Sequence, residues 1–239
     1  MTLRSRSLPS TPLVSAVIGL MASALLAGCA SKGEIVVDEG VGITAVRSSC
    51  PAIGIPDYTG DITLFTDPAA RDAKAIDVAA NLTDVRGICD QNSLKVQEYN
   101  KRHPNAGGLV HTTVNFRVQA RRIDTAGARD VTLPWFITVL RGGTAVISKR
   151  VSTVTLHFAD GQARAEATGQ GLAIIDKAEA TLDRATRDRI LKPRKAGEAD
   201  AAVDPLADPE VRAAVQRATF EVLVGFQLDD AQLAYNATR

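Results

Sequence analysis

The chain is poor in the residues and spacings that announce a chemistry. Its 239 residues include three cysteines, three histidines and one tryptophan, and aromatics make up 4% of it. No Gly-x-Ser-x-Gly, His-Glu-x-x-His, Walker loop or EF-hand spacing occurs, which excludes the signature-bearing serine hydrolases, zinc proteases, nucleotide binders and calcium sensors. Cys29, Cys50 and Cys89 form no Cys-x-x-Cys pair. The net charge is only +1, so nothing global points to nucleic acid. An apolar content of 45% with 23% charge excludes collagen, coiled coil and wholesale disorder, and suits one large domain or two small ones. No cofactor or metal is implied.

The one long uncharged run lies near the start. Arg4 and Arg6 precede Leu13 to Ala27, and the run ends in Leu26-Ala27-Gly28-Cys29. A basic segment, an apolar segment and a small-residue cleavage site make a secretory signal. The strongly apolar part is shorter than the roughly 20 residues a membrane span needs, and Ser31-Lys32 follow at once.

Leu26-Ala27-Gly28-Cys29 resembles the lipobox of bacterial lipoproteins. The resemblance covers residues 1 to about 30 and implies a signal peptide over 1–28. It implies a Cys29 that carries diacylglycerol on its thiol and an acyl chain, such as palmitate, on its amino group. An ordinary secretory signal with a chance cysteine is the alternative. One acyl chain anchors marginally, whereas two or three anchor stably. Lipoproteins kept in the inner membrane often have Asp after the cysteine; Ala30 therefore implies the outer membrane, lipid-anchored and facing the periplasm.

With Cys29 consumed by lipid, Cys50 and Cys89 remain in an oxidising compartment, and an even remainder reads as one structural disulfide. A redox-active pair is the weaker alternative, since neither cysteine sits at an obviously cationic helix start.

Residues 29–49 read as a tether with a short apolar patch at Ile35-Val36-Val37. Residues 50–178 read as a β-sandwich domain, with strands expected at 58–66, 75–89, 109–123, 131–140, 144–158 and 162–175. The clearest places Val110, Thr112, Val114, Phe116, Val118 and Ala120 on one face, and His111, Thr113, Asn115, Arg117 and Gln119 on the other. Asp160-Gly161 suits a two-residue turn that would pair Phe158 with Ala163 and His157 with Arg164. A similar turn at Gly142-Gly143 would pair Val139 with Val146. Gly169-Gln170-Gly171 reads as a bulge or strand break.

Residues 179–239 read as a C-terminal helical segment packed on the sheet. One helix is expected over Lys177 to Lys192, stopped by Pro193. Asp208-Pro209-Glu210 is a strong helix start, and Val211, Val215, Ala218, Val222 and Phe226 continue it as an apolar stripe. A shorter helix is expected from Asp229 to Tyr235. The expected fold is mainly β: an antiparallel β-sandwich, immunoglobulin-like by architecture, or an open barrel, with two C-terminal α-helices.

Candidate sites are sparse. His103, His111 and His157 could meet as metal ligands, but two lie on expected solvent faces and isolated surface histidines are the simpler reading. Arg184, Arg187, Arg189, Lys192, Arg194 and Lys195 make a basic stretch, offset by Glu198, Asp200, Asp204, Asp208 and Glu210 just after it. Arg117, Arg121 and Arg122 with Gln119 make a polar strand surface that suits a glycan or carboxylate partner, or plain solvent. Three functions follow. The first is a non-enzymatic, lipid-anchored envelope protein with an accessory, structural or partner-binding role, its partner another envelope protein. The second is a carrier holding an apolar ligand between sheet and helix. The third is a cell-envelope hydrolase built on acids such as Asp61, Asp84 and Asp90.

Overall fold

Alternation along the strands decides the architecture of the computed structural model, which describes residues 48–91, 93–102, 108–192, 197 and 203–238. Cys29, the Ile35-Val36-Val37 patch, His103, Arg194 and Lys195 lie outside the described residues. The strands are β1 (Ala52–Gly54), β2 (Asp61–Phe65), β3 (Ile76–Asp90), β4 (Leu109–Arg122), β5 (Arg129–Arg141), β6 (Ala145–Phe158), β7 (Arg164–Asp176) and β8 (Phe220–Phe226). The helices are α1 (Leu94–Arg102), α2 (Arg184–Leu191), α3 (Pro209–Arg217) and α4 (Asp230–Thr238).

The fold is mainly β, in two four-stranded sheets ordered β1-β8-β5-β6 and β2-β3-β4-β7. All pairings are antiparallel except β1 with β8, which is parallel. An immunoglobulin domain keeps its first two strands in one sheet and sends the third to the other, whereas here β1 is followed by β2, β3 and β4 running consecutively within the second sheet. The immunoglobulin-like order is thus corrected, while the two-sheet class holds. In β4 every even residue from Val110 to Arg122 is buried, as the alternation predicts.

The faces turned toward each other form one core. Phe116 meets Trp135 edge-on, with ring centroids 4.8 Å apart. Val118, Leu133, Leu156, Phe158, Val222 and Val224 pack around them. Gly169 and Gly171 make room for the two rings: a Cβ at Gly169 would lie 2.1 Å from Phe116 Cζ, and one at Gly171 would crowd Ile137 and Trp135. The Gly169-Gln170-Gly171 segment is therefore neither a bulge nor a break. It runs unbroken through β7, thinned where two large rings lie over it.

The hairpin expected at Asp160-Gly161 does not form. Its turn is present, with Gln162 N–H donating to Ala159 at 3.0 Å and Gly161 at φ 73°, but the flanking strands diverge. Leu156 pairs with Val131 of β5, and Ala165 with Ala120 of β4. Inward alternation is the same whichever sheet a strand joins, so the pattern could not separate the two outcomes. Segments 123–128 and 159–163 are instead neighbouring crossovers between the sheets, joined by Gly161 N–H to Thr125 O at 2.9 Å and Gly127 N–H to Asp160 Oδ1 at 2.7 Å.

Arg122 closes this corner from within and is not part of a polar surface. Only 1% exposed, it donates from Nε to Gln162 O at 2.8 Å, and from one terminal nitrogen to Thr125 O and Ala159 O at 2.8 and 2.9 Å. Its guanidinium also lies over the Phe158 ring, 5.3 Å from the centroid.

The Gly142-Gly143 hairpin forms with a shifted register. Arg141 faces Ala145 across a three-residue loop, and Val139 faces Ser148 rather than Val146, because Ile147 is bulged out. The stripe from Val211 to Phe226 is not one helix. α3 ends at Arg217, and Phe220, Val222, Val224 and Phe226 enter the sheet between β1 and β5 as β8. Val222 and Phe226 fit a helical spacing of four as well as a strand spacing of two. The β-branched residues and the open edge of β5 favour the strand. The helix expected over 177–192 begins at Arg184, after a turn, with Asp183 as its N-cap. The segment 179–239 therefore adds a strand to the sheet as well as helices. α1 was not foreseen; its Val96 is 1% exposed.

Cys50 and Cys89 are bonded, with Cα atoms 5.9 Å apart. The bond ties the chain entering β1 of one sheet to β3 of the other, and Ile53 lies over Gly87 beside it.

Three stability measurements test this arrangement. Arg122→Met is expected to lower the unfolding free energy in urea by about 2 kcal/mol or more, because three part-buried carbonyls lose a charged donor; a loss under about 0.5 kcal/mol would contradict the role given to it. Gly169→Ala should cost about 1–3 kcal/mol by overpacking against Phe116. Reducing Cys50–Cys89, which spans 39 residues, should cost about 4 kcal/mol in the chain-entropy account. Alkylation should label neither cysteine before reduction.

Candidate functional site

The outer face of β2-β3-β4-β7 carries a groove of about 560 Å³, lined by charged and amide side chains with small apolar ones between them. Pairing register sets its rows. Asp61, Asn81, Gln119 and Glu166 lie side by side across four strands, and Thr63, Ala79, Arg121 and Arg164 form the next row. Ala79 is small and leaves space beside the arginines.

Charge is unevenly shared here. Arg117, one row further along, takes Asp84 at 3.4 Å and Glu166 at 3.3 Å. Asp84 reaches it because the β3–β4 register shifts between Thr83 and Arg86 and Asp84 adopts φ 51°, a conformation Asp tolerates better than most residues. Glu166 also accepts from Gln119 Nε2 at 3.2 Å. These exposed ion pairs add little stability, roughly 0–1 kcal/mol each, but they engage Asp84 and Glu166. Arg121 and Arg164 stand directly opposite one another, and neither has an acidic partner among the described residues. Of the strand residues expected to form a polar surface, Arg117, Gln119 and Arg121 do so; Arg122 points into the core.

A second groove, of about 310 Å³, lies beside α2, where Ala180, Leu182, Ile190 and Leu191 meet Ser48, Lys177 and Arg187. The basic stretch next to it is partly neutralised. Arg189 reaches Asp208 and Glu210 at 3.5 and 3.4 Å, and Arg184 reaches Asp188 at 3.6 Å. Asp183 has its carboxyl held below the ordinary range, chiefly by the Thr186 hydroxyl and then by the Thr186 amide.

The other sequence candidates are dispersed. His111 packs edge-on to Tyr99 of α1 at 5.5 Å, while His157 bonds Asp130 at 2.6 Å, not Arg164. Asp84 and Asp90 are six residues apart along β3, about 20 Å at strand rise. Asp90 is engaged in capping Ser93. Among the described residues no three His, Cys, Asp or Glu are grouped to hold a metal ion, and no helix is long and apolar enough to cross a membrane. The space between the sheets is occupied by the Phe116–Trp135 core, and both grooves lie outside it. Sequence reasoning placed Arg121 on this polar face and set Arg164 opposite His157; that Arg164 lies beside Arg121 became visible only once β7 was paired with β4. No family model matches this chain, and no curated protein and no solved structure shows a significant match to it.

Proposed function

We propose that this chain is a lipid-anchored protein of the bacterial cell envelope. Cys29 carries the lipid, the outer membrane holds it facing the periplasm, and its role is non-enzymatic: an accessory or structural subunit that binds a partner. The observation that carries the reading is the Leu26-Ala27-Gly28-Cys29 motif behind its basic and apolar segments. It is supported by a disulfide, a bond that persists in an oxidising compartment. The interval from Cys29 to Ser48 reaches at most about 65 Å when extended, enough to hold the β-domain clear of the bilayer. The working surface in this reading is the outer face of β2-β3-β4-β7, where polar side chains converge on one groove.

A carrier of an apolar ligand is the second reading. The groove beside α2, with Leu182, Ile190 and Leu191 in its wall, is the observation that favours it.

The anchor is tested by mass spectrometry of protein extracted from membrane fractions. The expected N-terminal peptide begins at Cys29 and carries diacylglycerol plus an amide-linked acyl chain. Cys29→Ser should move the protein to the soluble periplasmic fraction. An unmodified Cys29, or a Cys29→Ser protein that stays with the membrane, would overturn the proposal.

A further inference from the structure

The geometry points to an anion-binding site at Arg121 and Arg164, and we propose that it takes a sugar bearing a phosphate or a carboxylate. The inference rests on reading the outer face of β2-β3-β4-β7 as the working surface, and is independent of the lipid on Cys29.

The argument begins with register. Arg121 lies opposite Arg164, and the next residue along β4, Arg122, donates its N–H to Ala163 O at 2.9 Å. That hydrogen bond makes Arg122 and Ala163 the hydrogen-bonded pair, so Arg121 and Arg164 form the closer, non-hydrogen-bonded kind, with Cα atoms about 4.5 Å apart. Like charges directly opposite on a sheet repel and destabilise it. Elsewhere on this face, Arg117 holds both Asp84 and Glu166. The acids nearest the arginine pair are therefore already engaged. Asp61, at the far side of the groove, also has a partner of its own.

Two adjacent guanidinium groups without a carboxylate offer paired donors in the planar geometry that fits a carboxylate or phosphate. The neighbouring row supplies what a hydroxylated body would need. Asn81 and Gln119 line the same groove, Gln119 with one amide N–H given to Glu166. The small side chain of Ala79 leaves space beside Arg121. Binding an anion there would remove the repulsion between Arg121 and Arg164 as well as form new hydrogen bonds, so the ligand should stabilise the fold.

The test uses the purified protein in the form in which cells make it, with a neutral detergent present throughout, titrated with glucose 6-phosphate, glucuronate and glucose at constant ionic strength. At least one of the two anionic sugars should raise the melting temperature and give a saturable calorimetric signal, and glucose should do neither. Arg121→Gln and Arg164→Gln should each weaken that binding by about tenfold or more. Arg184→Gln, on α2, should leave it unchanged. Both groove arginines are exposed, so the variants should retain the unliganded melting temperature or exceed it. The proposal is overturned if neither anionic sugar binds, if glucose binds equally, if sodium chloride alone reproduces the stabilisation, or if both arginine variants bind like the parent. Failure here would leave the Cys29 experiment untouched, and failure of the anchor would leave this titration untouched.

Discussion

Arg122 donates to carbonyls of Thr125, Ala159 and Gln162, and those three residues belong to the two segments by which the chain crosses between sheets. A sandwich in which β4 leads to β5 across the core, and β6 leads back to β7, has two sharp corners lying side by side. Main-chain groups there turn away from both sheets and lose ladder partners. Thr125 and Ala159 are half-buried, and main-chain groups shielded from water need donors. The guanidinium has five N–H groups in a fixed fork and can serve several carbonyls at once, which a lysine ammonium on a flexible stem does less well. Its charge meets carbonyl dipoles and the face of Phe158. The register of β4 with β7, and with it the position of Arg121 opposite Arg164, follows from how this corner is closed.

A second constraint comes from the shortage of large side chains. With one tryptophan and six phenylalanines in the chain, the core depends on a few rings placed where their bulk counts. Phe116 and Trp135 come from different sheets and meet edge-on. Gly169 and Gly171 on β7 accept them at the cost of side-chain packing on that strand. The alanines at 165 and 167 continue the same thin strip. A neighbouring layer can approach closely along it.

The long strands were legible because period-two alternation is local: β3, β4, β5, β6 and β7 fall within two residues of their expected bounds. Which strand pairs with which was not, since inward-facing residues look alike whichever sheet they join. Asp160-Gly161 shows this, with the right turn and the wrong partner. β8 was hidden by a different degeneracy, in which Val222 and Phe226 satisfy both periods and the deciding fact, a free edge on β5, is non-local. The disulfide followed from counting cysteines in an assumed compartment. At the candidate site, Arg121 could be placed on a solvent face from β4 alone, whereas the pairing that gives it meaning required β7.

The near-zero net charge also takes on a different aspect when charges are placed. α2 and the start of α3 cancel by direct contact through Arg189, Asp208 and Glu210. On the outer face of β2-β3-β4-β7, Arg117 does the same for Asp84 and Glu166. Pairing of this kind screens fields within a few ångströms and leaves little for long-range steering. What survives is local. A cationic row one residue wide, bounded by amides and backed by a rigid sheet, can discriminate by geometry even where total charge says nothing. Because its arginines sit on paired strands whose register is locked at the Arg122 corner, their separation is set by the fold and does not need to be organised by a ligand.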